Sequence, residues 1–139
     1  MTSMFPPAAR QAAATPAIVL NAVRCWRIAR DAGLSVQPRL TTVLRAHGCE
    51  MLAPCFDSVM SLCEAALGRR LSIGGPHVVS ADESLLLDLL EGAKGPRDCL
   101  QCSDGLATAF DCALCSARIL MSLAFDGDRA GRRAPPLPN

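Results

Sequence analysis

Four cysteines near the end of the chain form two CxxC pairs, Cys99 with Cys102 and Cys112 with Cys115. Two such pairs are the ligand set of a tetrahedral zinc site, in which all four sulfurs converge on one ion at about 2.3 Å. A CxxC pair at the start of a helix can also exchange disulfides, because exposed backbone amides lower the pKa of the thiol. These residues therefore suggest a cysteine-based metal-binding or redox protein.

The element that positions these cysteines argues against a shared ion. The apolar residues of segment 106–125 recur at helical spacing and predict a last helix that starts between Cys99 and Asp104. At about 1.5 Å per residue, the second pair lies roughly 12 Å or more beyond a start at Asp104. Cys102 would have to fold back along the helix to reach it. We therefore expect no cofactor, with zinc as the alternative, and expect most of the eight cysteines to pack as small core residues.

Histidines and carboxylates give no stronger candidates. His47 and Cys49 are close in sequence, but a nucleophile pair needs a base within about 3 Å and a group to orient it. We expect His47 and His77 to be loop or capping histidines. Asp82 and Glu83 follow a serine in a helix-capping pattern, and the amino end of a helix favours negative charge.

Three arginines, Arg24, Arg27 and Arg30, recur every three residues in the first predicted helix. They could contact phosphates, and such binding would weaken steeply with salt. No lysine, tyrosine or glycine-rich loop accompanies them, so a solvated helix face is the expected role. Nucleic acid is not an expected partner.

The chain carries no Walker loop, dinucleotide fingerprint, zincin motif or nucleophile elbow. We therefore predict that it is not an enzyme and that it has no catalytic or cofactor-binding residues.

Composition indicates one globular domain. Of 139 residues, 50% are apolar and 19% are charged, with a net charge of +1. Residues 1–48 carry six arginines and one acid, whereas residues 71–128 carry nine acids and three basic residues. We expect these two parts to complement each other within one fold or across a dimer.

The compartment is inferred from cysteine usage and from the absence of targeting segments in this sequence. No leader with a cleavage site is recognisable, and no uncharged run reaches the roughly 18 apolar residues of a membrane span. We therefore expect a cytoplasmic protein without membrane contact, in which the eight cysteines stay reduced.

Local signals place further helices ahead of the last one. Segments 16–33, 38–48 and 54–68 each begin at a proline and end at a glycine, as helices often do. The second and third can instead form one long helix kinked at its central proline. Ser80 to Glu83 is a capping box that starts a leucine-rich helix.

These elements predict an all-α fold, a small bundle of four to five helices with disordered termini. Residues 1–15 form a flexible leader, 16–126 a single helical domain, and 127–139 a flexible tail rich in arginine and proline.

Three segments carry a resemblance to a known family: 27–34 (RIARDAGL), 69–73 (RRLSI) and 80–86 (SADESLL). Over residues 20–92 the chain resembles a small bacterial helical family known as a domain of unknown function. Its relatives carry a cysteine-rich stretch where this chain has 74–79 (GGPHVV). The resemblance therefore implies a helical fold without implying a metal site.

The expected function is a small intracellular helical module for protein interaction or regulation, acting without catalysis. Its partner would be another protein or a second copy in a homodimer. The alternative is the cysteine-based metal or redox protein described above.

Overall fold

A computed structural model describes the backbone of residues 7–133 and the side chains of residues 15–125. The two segments expected to be flexible, the leader 1–15 and the tail 127–139, lie outside the range of described side chains except for Thr15.

The described chain consists of helices joined by short connections. In chain order these are α1 (Pro7–Asp31), α2 (Val36–Arg45), a 3₁₀ turn (Glu50–Leu52), α3 (Ala53–Leu67), α4 (Ala81–Glu91), α5 (Pro96–Cys99) and α6 (Asp104–Arg133). Residues 7–133 contain no strand, so the all-α prediction is confirmed. The sixth α-helix, beyond the expected four to five, is α5, which is a single turn.

The first and last helices, α1 and α6, are longer than the sequence predicts. Helix α1 begins at Pro7 instead of Pro16 and continues through Pro16, although proline lacks the N–H of a helical hydrogen bond. The alanines that precede Pro16 are the strongest helix formers, which explains the extension. Helix α6 likewise continues to Arg133, past the expected end at Phe125.

Helices α2 and α3 are separate. Gly48 follows α2 with a φ of 72°, a left-handed conformation that favours glycine. The 3₁₀ turn then leads into α3, where Pro54 lies in the first turn and its missing N–H breaks no helical hydrogen bond. The alternative of one helix kinked at Pro54 is therefore wrong.

The core lies between α1, α3 and α6. Each contributes one large aromatic side chain with at most 1% of its surface exposed: Trp26, Phe56 and Phe110. Leu86 and Leu89 of α4 close the core. On α6, Phe110 and Ala117 are buried, but Ala109 is exposed. Apolar residues occur on every side of α6, so their spacing does not identify the buried side.

The connector between α3 and α4, residues 68–80, is held by three carboxylates, Glu64, Asp82 and Glu83, which we call the acid cluster. Each accepts a hydrogen bond from a connector amide, and the donors are Leu71 N–H (3.0 Å), Ser72 N–H (2.7 Å) and Gly74 N–H (2.9 Å), respectively. Because the connector has no helix or strand partner, these bonds satisfy amides that would otherwise need water.

Each carboxylate of the acid cluster also binds an arginine. These contacts join Glu64 to Arg27, Asp82 to Arg69, and Glu83 to Arg24. Arg69 approaches its partner with both terminal nitrogens, at 2.7 and 2.9 Å, which is the bidentate geometry of strong ion pairs. Arg24 and Glu83 are 59 positions apart, so their pair joins α1 to the start of α4.

Two carboxylates of the acid cluster, Asp82 and Glu83, have a lowered pKa, which favours their charged form. Burial alone would raise the pKa of Glu83, but hydrogen bonds from Arg24 and from the amides of Ser80 and Gly74 outweigh it and lower the pKa. The pKa of Asp82 is lowered chiefly by its hydrogen bonds from Arg69, against the opposing effect of burial.

The cluster corrects two expectations. The capping box of Ser80 and Glu83 is confirmed, but capping does not fully account for the acids, because Asp82 and Glu83 are 4% and 0% exposed. Arg27 is only 6% exposed and therefore does not belong to a solvated face. Charged side chains at the surface and in buried pairs look alike in a sequence, because the partner is distant along the chain.

Gly74→Ala tests the fit of the connector. A Cβ at residue 74 would overlap the carbonyl of Val78 and touch the Glu83 carboxylate, whereas a Cβ at Gly75 meets nothing within 4 Å. Overpacking of this kind costs about 1–3 kcal/mol. We expect Gly74→Ala to lower the free energy of unfolding by that amount and Gly75→Ala to leave it nearly unchanged. Urea unfolding, followed by fluorescence of the single tryptophan, measures both. Equal stability of the two variants would contradict the described connector.

Candidate functional site

The structure separates the two CxxC pairs. Cys99 ends α5 and Cys102 lies in the following loop, both half-buried against the core. Cys112 and Cys115 lie on α6 with exposed side chains. The predicted continuous last helix is confirmed, since α6 runs unbroken from Asp104. Residues 15–125 bring no three histidine, cysteine, aspartate or glutamate side chains together as a metal site, so the zinc alternative gains no geometric support.

The first pair lies where α5 ends and α6 begins. Cys99 is the last residue of the single-turn helix α5. Cys102 directly precedes Ser103, whose hydroxyl accepts the Leu106 N–H of α6 at 3.2 Å. Both are free thiols, and the redox alternative stays a prediction.

The eight cysteines differ in how far their side chains are exposed. Only Cys49 and Cys63 are buried, at 1% and 0% exposed, so the core role predicted for most of the cysteines is wrong for the exposed Cys112 and Cys115. Burial, together with the negative charges of Asp82 and Glu64, raises the pKa of Cys63 to about 12.

The histidine candidates do not form a site. His47 is exposed in the turn after α2, whereas Cys49 is buried and its thiol donates to the carbonyl of Leu44 at 3.5 Å. His77 is exposed in the connector. Both are therefore loop histidines, as expected.

Of the three arginines expected to form a solvated face, Arg30 is exposed, whereas Arg24 and Arg27 are held in contacts with other elements. Arg24 and Arg27 belong to ion pairs with the acid cluster. The guanidinium of Arg30 lies 4.8 Å from the centre of the Trp26 ring, a cation–π distance. Phosphate binding by these three residues therefore has little support.

A concave surface lies between α1 and α2. Its cavity volume is about 670 Å³, within the range of ligand pockets. The lining is mostly apolar: Cys25, Ile28, Ala29, Leu34, Ser35, Pro38, Arg39, Thr42 and Val43. Two of its large apolar side chains, Ile28 and Leu34, are 60% and 44% exposed. We call this surface the α1–α2 groove.

Hydrogen bonds fix the two walls of the groove. Asp57 of α3 accepts from Trp26 Nε1 of α1 and from Gln37 Nε2 at the start of α2, both at 2.8 Å. The groove is thus formed before any ligand binds. It has one cationic lining residue, Arg39, which makes no ion pair within residues 15–125. Burial raises the pKa of the neighbouring Cys25 thiol, and the charge of Arg39 partly opposes that rise.

Sequence patterns missed this groove. Leu34 follows the glycine that ends the first predicted helix, and almost half of its surface is exposed. Ile28 is a large apolar residue between the charged residues Arg27 and Arg30, which is a signal that could have identified it. Contiguous exposed apolar residues are more informative than single ones.

The second unusual surface is the outer side of α6. The described stretch Asp104–Phe125 is by length and composition apolar enough to cross a membrane, a criterion that core helices also meet. Its inner side is buried in the bundle, with Phe110, Leu114 and Ala117 at 0% exposed. Its outer side consists of Ala109, Cys112, Cys115, Ser116, Ile119 and Leu123, all exposed and uncharged. We call these six residues the α6 stripe.

Comparison with known proteins gives no relative: the chain matches no family model, no curated protein and no solved structure at a significant level. The resemblance to a small helical family therefore stays a prediction, and functional inference depends on the surfaces described above.

Alkylation of the folded protein tests the placement of the thiols. We expect iodoacetamide to modify Cys112 and Cys115 at least about tenfold faster than Cys49 and Cys63, because reaction requires an accessible thiolate. Mass spectrometry of peptides after short exposures measures each rate. In guanidinium chloride the eight rates should become similar, which is the control. Modification of Cys63 as fast as Cys115 in the folded chain would contradict the structure.

Proposed function

We propose that this protein is a non-enzymatic helical interaction module whose α1–α2 groove binds an apolar segment of a partner protein. The observation that carries the proposal is a preformed, open groove with two large exposed apolar residues, Ile28 and Leu34. Burial of apolar area is the dominant favourable term in protein association.

The shape and lining of the groove favour a peptide over a reacting substrate. Its only ionisable groups are Arg39 and Cys25, whereas acid–base or nucleophilic catalysis needs a group paired with a second one. The two helical walls lie side by side, so an amphipathic helix can place its apolar side chains between them.

Charge indicates the kind of helix. Arg39 makes no ion pair within residues 15–125, so its charge is available to a ligand. A partner helix with leucine-type residues on one face and an acidic residue beside them would bury Ile28 and neutralise Arg39. Such complementarity selects among partners more than it adds affinity.

Binding of a designed peptide tests the proposal. The probe is a fluorescein-labelled amphipathic helix about four turns long, with leucines on one face and glutamates beside them. We expect saturable binding by fluorescence anisotropy, with the Kd raised about tenfold or more by Ile28→Glu, the effect typical of a central interface residue. The matched control is Ile119→Glu, because Ile119 is also 60% exposed but lies on α6.

A charge exchange makes the test specific. Arg39→Glu should weaken binding of the glutamate peptide and strengthen binding of a peptide with lysines in the same positions. Absence of binding, or binding that Ile28→Glu and Arg39→Glu leave unchanged, would overturn the proposal.

A further inference from the structure

The α6 stripe has the pattern of a helix–helix contact. Residues 109, 112, 116, 119 and 123 recur with alternating steps of three and four, which is the heptad spacing of paired helices. Ile119 and Leu123 are 60% and 64% exposed, and no charged residue lies within the stripe. Pairing with another helix would remove this apolar surface from water.

Two charged residues, Asp111 and Arg118, flank the stripe on the same side of α6, and neither makes an ion pair within residues 15–125. The Asp111 side chain makes no hydrogen bond or ion pair within residues 15–125. Arg118 donates from Nε and Nη2 to the carbonyl of Leu89 at the end of α4, at 3.3 and 2.9 Å. Its Nη1 faces the stripe, where it reaches the Cys115 Sγ at 3.6 Å. The guanidinium is therefore fixed in place with one nitrogen directed toward the stripe.

We propose that the α6 stripe binds the same stripe of a second copy of this chain, with the two α6 helices antiparallel. Asp111 and Arg118 are seven residues apart, so they lie on one side of the helix, about 10 Å apart along its axis. A two-fold axis that passes between the two helices, at the level midway between Leu114 and Cys115, brings Asp111 of each copy to the level of Arg118 of the other. Both pairs form at once, as isologous symmetry requires.

The charges favour the antiparallel arrangement. In a parallel pair, one flank of each helix faces the opposite flank of its partner, so Asp111 and Arg118 would lie opposite Ala113 and Leu120, and neither charge would gain a partner. The stripe itself is uncharged, so its residues can approach their copies without repulsion. This inference does not depend on the α1–α2 groove, which lies on other helices.

The two-fold axis also places the two exposed cysteines at different distances from their copies in the second chain. Cys115 lies within about 1 Å of the axis along the helix, so the two Cys115 thiols face each other. Cys112 is displaced by about 4 Å, so the two Cys112 thiols are about 7.5 Å apart along the helices. A disulfide needs Cβ atoms about 3.5–4.5 Å apart.

The oligomeric state of the full chain is the first test. We expect sedimentation velocity over a concentration series to show a monomer–dimer equilibrium. Ile119→Glu should raise the dimer Kd at least about tenfold, because it buries a charge in the contact. Ile28→Glu, at an equally exposed isoleucine on α1, should leave the dimer unchanged. A chain that stays monomeric throughout, or that responds equally to both changes, overturns the proposal.

The charged flank is the second test. Asp111→Arg should weaken the dimer by placing two arginines together at both ends of the contact. Adding Arg118→Asp to that variant should restore it. Because Arg118 also binds the carbonyl of Leu89, circular dichroism checks that the double variant is folded. A folded double variant that remains monomeric overturns the antiparallel pairing. If it does not fold, the response of Asp111→Arg alone decides, and an unchanged dimer contradicts the pairing.

Cross-linking is the third test and reports direction. Brief oxidation with diamide, a thiol oxidant, should link the copies through Cys115, so that Cys112→Ser retains the covalent dimer and Cys115→Ser loses it. Linking through Cys112, alone or as well as through Cys115, would indicate parallel helices, in which residues at the centre of the stripe meet their own copies, and would overturn the proposal. A membrane surface is the other candidate partner of the stripe, and sedimentation with phosphatidylcholine–phosphatidylglycerol vesicles tests it. Vesicle binding that Ile119→Glu abolishes, in a chain that stays monomeric, would assign the stripe to a membrane surface and overturn the proposal.

Discussion

The acid cluster is the constraint on which the other features depend. Glu64, Asp82 and Glu83 bind three connector amides and three arginines, so the connector is held although it has no regular secondary structure. Removal of one partner would leave a buried charge uncompensated, which makes such groups difficult to change singly. The cluster fixes α1 and the start of α4 relative to α3.

Two mainly apolar surfaces remain exposed in the described chain. Asp57 holds α2 beside α1, which leaves the α1–α2 groove, with its apolar walls and one cation that makes no ion pair in the described chain. The position of α4 supplies the Leu89 carbonyl that holds Arg118 toward the α6 stripe. Both surfaces are mainly apolar with a charge at the edge, which is the chemistry of partner recognition. They lie on different helices, so the two proposals can fail independently.

The sequence predicts the local features of this fold well because they depend on neighbouring residues. The capping box at Ser80 and the glycine that ends α3 are examples, and the periodicity of α6 predicts the helix that separates the cysteine pairs. The sequence does not predict which charges are buried, because Arg24 and Glu83 meet across 59 positions. It also does not predict which side of α6 is covered, since apolar residues surround that helix. The exposed Cys112 and Cys115 were missed for this reason.

Hydrogen exchange of the connector amides tests the role of the acid cluster most directly. Leu71, Ser72 and Gly74 donate to its carboxylates, whereas the amide of His77 in the same connector has no partner within the described residues. Exchange is slow where an amide is hydrogen-bonded in a stable unit. We predict helix-like protection at the first three amides and fast exchange at His77. Fast exchange at all four would show that the carboxylates do not hold the connector, and would contradict this account.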